Sequence, residues 1–274
     1  MPEGDTIFRA ARTLHRALAG STVTRFETVL PALSRIDQDS PIAGRTIERV
    51  FSAGKHLLME FSGGLILRTH MRMNGSWHIY RAGERWRRSR RDMRIVVATN
   101  QFEAVGFNVP VAEFVTADRI DRHNALTALG PDLLGDAFDP DEALRRLRQR
   151  RELAIGDALL NQRLLSGVGN VYKSEILFAT RTNPFAAIAS ISDETLKEIV
   201  ATARRLLTLN VKAGVQPMTT YAGYRRTTQS SDPGQRLWVY GRGGKPCRRC
   251  GAAISVRAQG ADARLTYWCP SCQS

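Results

Sequence analysis

The sequence predicts an α+β fold: an N-terminal helix with an antiparallel β-sandwich lobe, then a helical lobe, then a C-terminal metal-binding β-hairpin. Three observations predict it. Short β-rich runs broken by turn residues fill residues 22 to about 115, helix-period patterns fill 141 to 213, and all four cysteines lie in the last 28 residues. With 274 residues, 43% apolar and 24% charged, the chain is long enough for one large domain or two ordinary ones and too apolar for wholesale disorder. No apolar run approaches a membrane span, and the start MPEGDTIFRA lacks the apolar core of a secretion signal, so a cytoplasmic protein is expected.

The elements follow in order. Asp5 is placed to cap a first helix, Ile7, Ala10, Leu14 and Leu18 give it an apolar face, and Gly20 ends it. Pro2 and Glu3 therefore stand just before a helix N-terminus. Strands are expected at TIERVF, HLLMEFS, LILRTHM, SWHIYR, RIVVAT and FEAVGFNV, with hairpin turns at Gly63-Gly64 and, more weakly, Asn100-Gln101. The Gly-, Pro- and Asp-rich segment 130–142 reads as a linker. Helices are expected at about 141–150, 153–165, 171–180 and 192–213; Ser192 caps the last, and Leu196, Ile199, Ala203, Leu206 and Leu207 give it an apolar face. A polar loop runs from 214 to 235. The resulting division is 1–130, 131–235 and 236–274.

Cys247, Cys250, Cys269 and Cys272 form the pattern C-x2-C-x18-C-x2-C. Each pair sets two thiolates on one tight turn, and two such turns facing each other make the tetrahedral S4 cage that zinc prefers. Two disulfides would need an oxidising compartment, and a redox pair would need only one C-x-x-C in a strand–helix setting. A structural Zn2+, one per chain, is the expectation.

Forty Lys and Arg against 26 Asp and Glu leave a net charge of +14, which favours a polyanionic partner without separating DNA, RNA and a membrane surface. Residues 81–94 hold seven Arg around Trp86. They read equally as a solvated loop or as a contact loop that exposes its tryptophan.

Two segments can carry chemistry. Removal of Met1 would leave Pro2 as a secondary amine, with a pKa of about 8 against about 10.4 for lysine. The helix N-terminus lowers it further. Such an amine can attack an aldehyde-level carbon and form an iminium, and Glu3 can move protons; by itself, however, a Met-Pro-Glu start is unspecific. In residues 159–178, two helical patterns meet at Gly167-Val168-Gly169-Asn170. Glycines allow close backbone approach, the next helix offers free N–H groups, Asn170 adds a donor and Lys173 a charge, as a phosphate site requires. A plain helical hairpin fits the same residues.

Taken in order, MPEG, SAGKHLL, THMRMNGSW, LLNQRLLSGVGNVYKSEILF and VYGRGGKPCRRCG…ARLTYWCPSCQ resemble the formamidopyrimidine-DNA glycosylase and endonuclease VIII family of bifunctional base-excision repair enzymes, on the side of the actinobacterial-type endonuclease VIII proteins. The resemblance spans nearly the whole chain. It implies that 1–130 is a catalytic β-sandwich domain, 131–235 a helix-two-turns-helix DNA-binding domain and 236–274 a zinc finger. It implies that Pro2 is the nucleophile at C1′ of a damaged nucleotide and Glu3 the acid/base residue. Lys55 would contact the reacting nucleotide and its phosphate, Asn170 would grip phosphate and Arg264 would clamp the lesion's phosphates. Lys173 belongs to the same DNA-binding set. Met73, with His70 and Arg72 beside it, is the candidate wedge for the gap a flipped base leaves, although Met71 and Met73 also suit a core and His70 a turn-bracing hydrogen bond. The implied partner is damaged DNA, double- or single-stranded, bound by a monomer without membrane contact.

The departures are specific. Asp5 and Thr6 stand where many members carry Pro and a second Glu. The D-x-R-R-F-G segment of the oxoguanine branch is absent, its region reading Asn100-Gln101-Phe102-Glu103-Ala104-Val105-Gly106-Phe107. Oxidised pyrimidines are the expected lesions. The alternatives are a DNA-damage-binding member without lyase activity and, further off, a zinc-ribbon protein of transcription or translation.

Overall fold

The computed structural model describes residues 2–120, 122–212, 225–228, 230 and 232–274. Contacts divide the chain into two compact units, one taking in residues up to Ala128, the other starting at Leu129 and including the C-terminus. Met1 and Tyr224 lie outside the described residues.

In the first unit, helix α1 spans Gly4–Leu18, and Ile7, Ala10, Leu14 and Leu18 are all buried as its periodicity predicts. Asp5 does not cap it. The cap position falls on Glu3, whose carbonyl accepts Thr6 N–H at 2.9 Å, and Asp5 lies inside the first turn, buried and 3.5 Å from Arg9. Strand β1 (Arg25–Thr28) and helix α2 (Pro31–Asp39) follow. Then come β2 (Ile47–Ala53), β3 (His56–Phe61), β4 (Leu65–His70), β5 (Ser76–Arg81), β6 (Met93–Ala98), β7 (Phe102–Phe107) and β8 (Val111–Thr116). Both expected hairpins form, β3–β4 across Gly63-Gly64 and β6–β7 across Asn100-Gln101. The strands make two antiparallel sheets, ordered β1-β6-β7-β5 and β2-β3-β4-β8.

Alternation decides the core. Leu57, Met59 and Phe61 of β3 meet Ile95 and Val97 of β6 and the apolar face of α1 in one buried cluster, which makes the pair of sheets a sandwich. The opposite face of the β1-β6-β7-β5 sheet has its own cluster of Tyr80, Met93, Val96, Val105 and Phe107. Trp86 covers it, 5.8 Å from Phe107 between ring centroids, with Nε1 donating to Glu103 at 3.0 Å. Of the two readings of the Arg-rich loop, the one that exposes its tryptophan does not hold: the indole is half-buried and anchors the loop.

Short helices α3 (Ala117–Ile120) and α4 (Asn124–Thr127) close this unit. The second unit holds α5 (Pro140–Arg148), α6 (Ile155–Leu160), α7 (Asn170–Ala179) and α8 (Asp193–Lys212), with the hairpin strands β9 (Ser255–Gln259) and β10 (Arg264–Trp268). Ser192 caps α8 as expected, its Oγ accepting Thr195 N–H at 3.2 Å. The segment from 130, read as a linker, is tied into this unit: Gly130 N–H donates to Gln162 and Ser166 N–H to Pro131, and Leu133 is fully buried. Among the described residues no helix is long and apolar enough to cross a membrane.

Candidate DNA-processing site

In the first unit the candidate residues gather at one end of the sandwich. Gly20 N–H donates to Ile47 at 2.8 Å and His15 Nδ1 accepts Val50 N–H at 3.1 Å, so α1 runs antiparallel to β2. At about 1.5 Å per helical residue and about 3.3 Å per strand residue, the start of α1 comes level with the β2–β3 turn. That turn holds Gly54 and Lys55. Pro2 and Glu3 at the head of α1 are both buried.

His56, next to Lys55, pairs across the sheet with His70, the last residue of β4. Their rings lie 4.9 Å apart. Arg68 Nη1 meets His56 Nδ1 at 2.7 Å while its Nε donates to Glu113 at 2.6 Å. An arginine only donates, so His56 Nδ1 accepts. Burial, with His70 and Arg68 adding, holds the His56 pKa down at about 3. Burial, with Lys55 and Arg68 adding, holds His70 at about 4. Both rings are neutral at pH 7, and the cationic charge at this end belongs to lysine and arginine.

The turn between β4 and β5 carries the wedge candidates. His70 Nδ1 accepts Arg72 N–H at 3.1 Å, Arg72 has φ +44°, and Gly75 N–H closes the turn on Met71 at 2.8 Å. A Cβ on Gly75 would sit 2.6 Å from the Met71 carbonyl oxygen, so only glycine fits. Met71 is a core residue at 1% exposure, whereas Met73 is 50% exposed. The two methionines are thereby separated. His70 braces the turn, which narrows its expected DNA contact to the other ring nitrogen.

The second unit assembles a different set. Between α6 and α7, Gln162 staples the turn: Nε2 donates to Leu160 and Val168 at 2.9 and 3.0 Å, and Oε1 accepts Gly167 N–H at 3.0 Å. Gly167 has φ +107°. Asn170 begins α7 and donates from Nδ2 to the Leu265 carbonyl at 2.8 Å, so it stands beside Arg264 on β10. Arg264 is exposed, with Asp262 3.8 Å away.

Lys173 is corrected. It is fully buried, one turn on from Asn170 on the face turned to β10, with Nζ donating to Thr266 at 2.6 Å. Thr266 donates to Gln259 at 2.7 Å, and Gln259 donates to the Pro184 carbonyl at 2.8 Å. Lys173 is a buried fastener of the hairpin, not a surface cation, because the face of α7 that carries it is covered by β10. Two further residues escaped sequence reading. Glu175, fully buried, accepts N–H groups from Trp238, Val239 and Tyr240 at 2.8–2.9 Å, and burial pushes its pKa up against those bonds. Gln162 was hidden because nothing in its type marks it as a turn staple.

The four cysteine sulfurs lie within 4.8 Å of one another, with Cys250–Cys269 at 3.5 Å and Cys247–Cys272 at 4.0 Å. A tetrahedron with metal–sulfur bonds of about 2.3 Å has edges of about 3.8 Å, whereas a disulfide measures about 2.05 Å. The donor set therefore fits zinc.

Comparison with known proteins agrees with this geometry. Residues 1–109 match the formamidopyrimidine-DNA glycosylase N-terminal domain, 129–222 its H2TH domain, and 244–274 the zinc finger found in FPG and IleRS. A Streptomyces coelicolor protein named "Probable endonuclease 8 2" is 40% identical, over 100% of this chain and 94% of that one. A Mycolicibacterium smegmatis protein named "DNA-(apurinic or apyrimidinic site) lyase Nei2" is 36% identical over 100% of this chain and 99% of that one. The Lactococcus lactis Fpg bound to DNA containing an abasic site shares the fold, with a TM-score of 0.82 at 23% identity and complete coverage of both chains. The chain belongs to the formamidopyrimidine-DNA glycosylase and endonuclease 8 family.

Proposed function

We infer that this protein is a bifunctional DNA glycosylase and abasic-site lyase of base-excision repair, acting on oxidised bases, pyrimidines above all. The observation that supports it most is the meeting of an N-terminal proline, a glutamate and the Lys55 turn at one end of the sandwich. The nitrogen lone pair of Pro2, freed of Met1, attacks C1′ of a nucleotide swung out of the duplex. The C1′–base bond breaks and the base leaves with its electron pair and a proton. Ring opening, with O4′ taking a proton, leaves an iminium between the Pro2 nitrogen and C1′. That cation acidifies C2′–H. Loss of the proton expels the 3′ phosphate, a second elimination expels the 5′ phosphate, and hydrolysis frees Pro2. Glu3 moves the protons, and Lys55 holds the reacting nucleotide's phosphate.

Asn170 and Arg264 grip phosphates, and Met73 fills the gap beside the extruded base, with Arg72 next to it. One Zn2+ per chain, held by four thiolates with no open position, is structural. The working division is 1–130 for chemistry, 131–235 and 236–274 for DNA grip, in a bacterial cytoplasmic enzyme. The non-catalytic alternative is not favoured, since a relative of full length is named a lyase.

Incision of a duplex with one oxidised pyrimidine tests the proposal. The expected product is a one-nucleotide gap with phosphate at both ends. Arg264→Ala should slow incision about 10- to 100-fold, the value of a charge-assisted hydrogen bond, with the unfolding temperature unchanged. An intact strand, or base loss without a strand break, contradicts the lyase assignment.

A further inference from the structure

The Arg-rich segment 81–94 is not used by the chemistry above, yet it builds one wall of a cavity of about 930 Å3 that lies wholly in the first unit. Ser76 and His78 of β5, Arg88 and Arg94 of that segment, and Arg72 and Asn108 line it. No acidic side chain is among the lining residues. Arg90 of the same segment pairs with Glu27 at 2.8 Å, but among the described residues Arg72, Arg88 and Arg94 pair with no carboxylate. Three uncompensated guanidiniums on one concavity concentrate positive potential there.

The interior is polar and ordered. Ser76 is 3% exposed and His78 8%. Arg88 Nη1 donates to Ser76 Oγ at 2.9 Å, and Ser76 Oγ lies 3.0 Å from His78 Nε2. With the serine accepting from arginine, its own proton is free for His78 Nε2, which sets the ring proton on Nδ1. Nδ1 is buried and has no partner among the described residues. Arg94 is aimed by Nη1 bonds to the Arg91 and Met93 carbonyls at 2.9 and 2.8 Å. Met73 stands on the rim.

We propose that this cavity is a phosphate site that takes a backbone phosphodiester of the undamaged DNA strand beside the point where Met73 enters. Guanidinium donors suit a phosphate oxygen set, and Ser76 holds the Arg88 guanidinium in place by accepting from its Nη1. The side of the duplex is fixed by the rim: a wedge filling the place of an extruded base faces the strand that was not damaged. The assignment rests on the proposed function for the wedge and stands on its own geometry for the anion.

The experiment follows the His78 ring signals by NMR in the zinc-loaded full chain, first with inorganic phosphate and then with an abasic-site duplex. Both ligands are expected to shift them, and the duplex to displace phosphate. In parallel, Arg88→Gln, which keeps a donor for Ser76, should flatten the dependence of duplex affinity on salt by about one phosphate's share, and Arg88→Lys should restore it. Unmoved His78 signals with both ligands overturn the site. Phosphate binding that the duplex leaves untouched makes it a free-anion site and overturns the DNA assignment. An unchanged salt slope in Arg88→Gln does the same. Wild-type lyase activity is read separately, so a protein that cuts abasic DNA but fails these tests loses the cavity assignment alone.

Discussion

At the residue scale, burial decides what a charge is for. Lys173 and Arg264 are both cations of one unit, and both were expected on DNA. Arg264 is exposed at the head of β10, whereas Lys173 is enclosed and bonded to Thr266. Lys173→Met should therefore cost about 1–3 kcal/mol of stability in the second unit by leaving Thr266 and its partners short of a donor, while the salt dependence of DNA binding stays as it is; calorimetry and a salt series check it. The distinction was not legible in the sequence. Spacing set Lys173 on the face of Asn170, but which way that face turns is decided by β10, 91 positions further on.

Histidines add a pH dependence with a defined sign. His56 and His70 have folded values of about 3 and about 4, below the ordinary value of 6.5. Between those limits the unfolded chain binds more protons, so the contribution of both rings to stability is whole above about pH 6.5 and drains away as pH falls toward 4. The thermal transition of the first unit should drop from pH 7 to pH 5, and less so in His56→Gln. An unfolding temperature flat over that range contradicts the neutral, buried state of these rings.

At the scale of elements, strong periodicity marks its elements in the sequence and weak periodicity leaves them unmarked. The faces of α1 and α8 and the two glycine- and asparagine-marked hairpins stand as expected. Helix α2 escaped because it buries only Leu33, so it has no stripe to detect. Strand β8 escaped because it is an edge strand, half-buried along most of its length and without alternation. The helix expected at 153–165 stops at Leu160, since Asn161 and Gln162 spend their side chains on turn N–H and carbonyl groups. The cysteine hairpin was fully legible, because ligand spacing encodes its geometry. Chelation of zinc should melt the region from about 240 onward and cut DNA binding, with the sandwich left folded. Hydrogen exchange checks it, and protection in β9 and β10 that survives chelation contradicts a metal-dependent hairpin.

For the whole molecule, the sequence carried the fold class, the family and most of the candidate site, because the MPEG start, the helix-two-turns-helix segment and the cysteine hairpin are each local signatures. It did not carry the anchoring of Trp86 on Phe107 or the packed course of the segment after Gly130, which depend on residues distant in the chain. A net charge of +14 and family membership over the full length agree on DNA, yet neither specifies the reaction. That depends on the amine of Pro2. The most direct measurement is borohydride reduction of the protein on abasic DNA, followed by peptide mapping of the adduct. A covalent link at Pro2 in chains that have lost Met1, with none in chains carrying an extra N-terminal residue, is the result this account predicts. A link at an internal lysine, or equal trapping by the blocked chains, would contradict it.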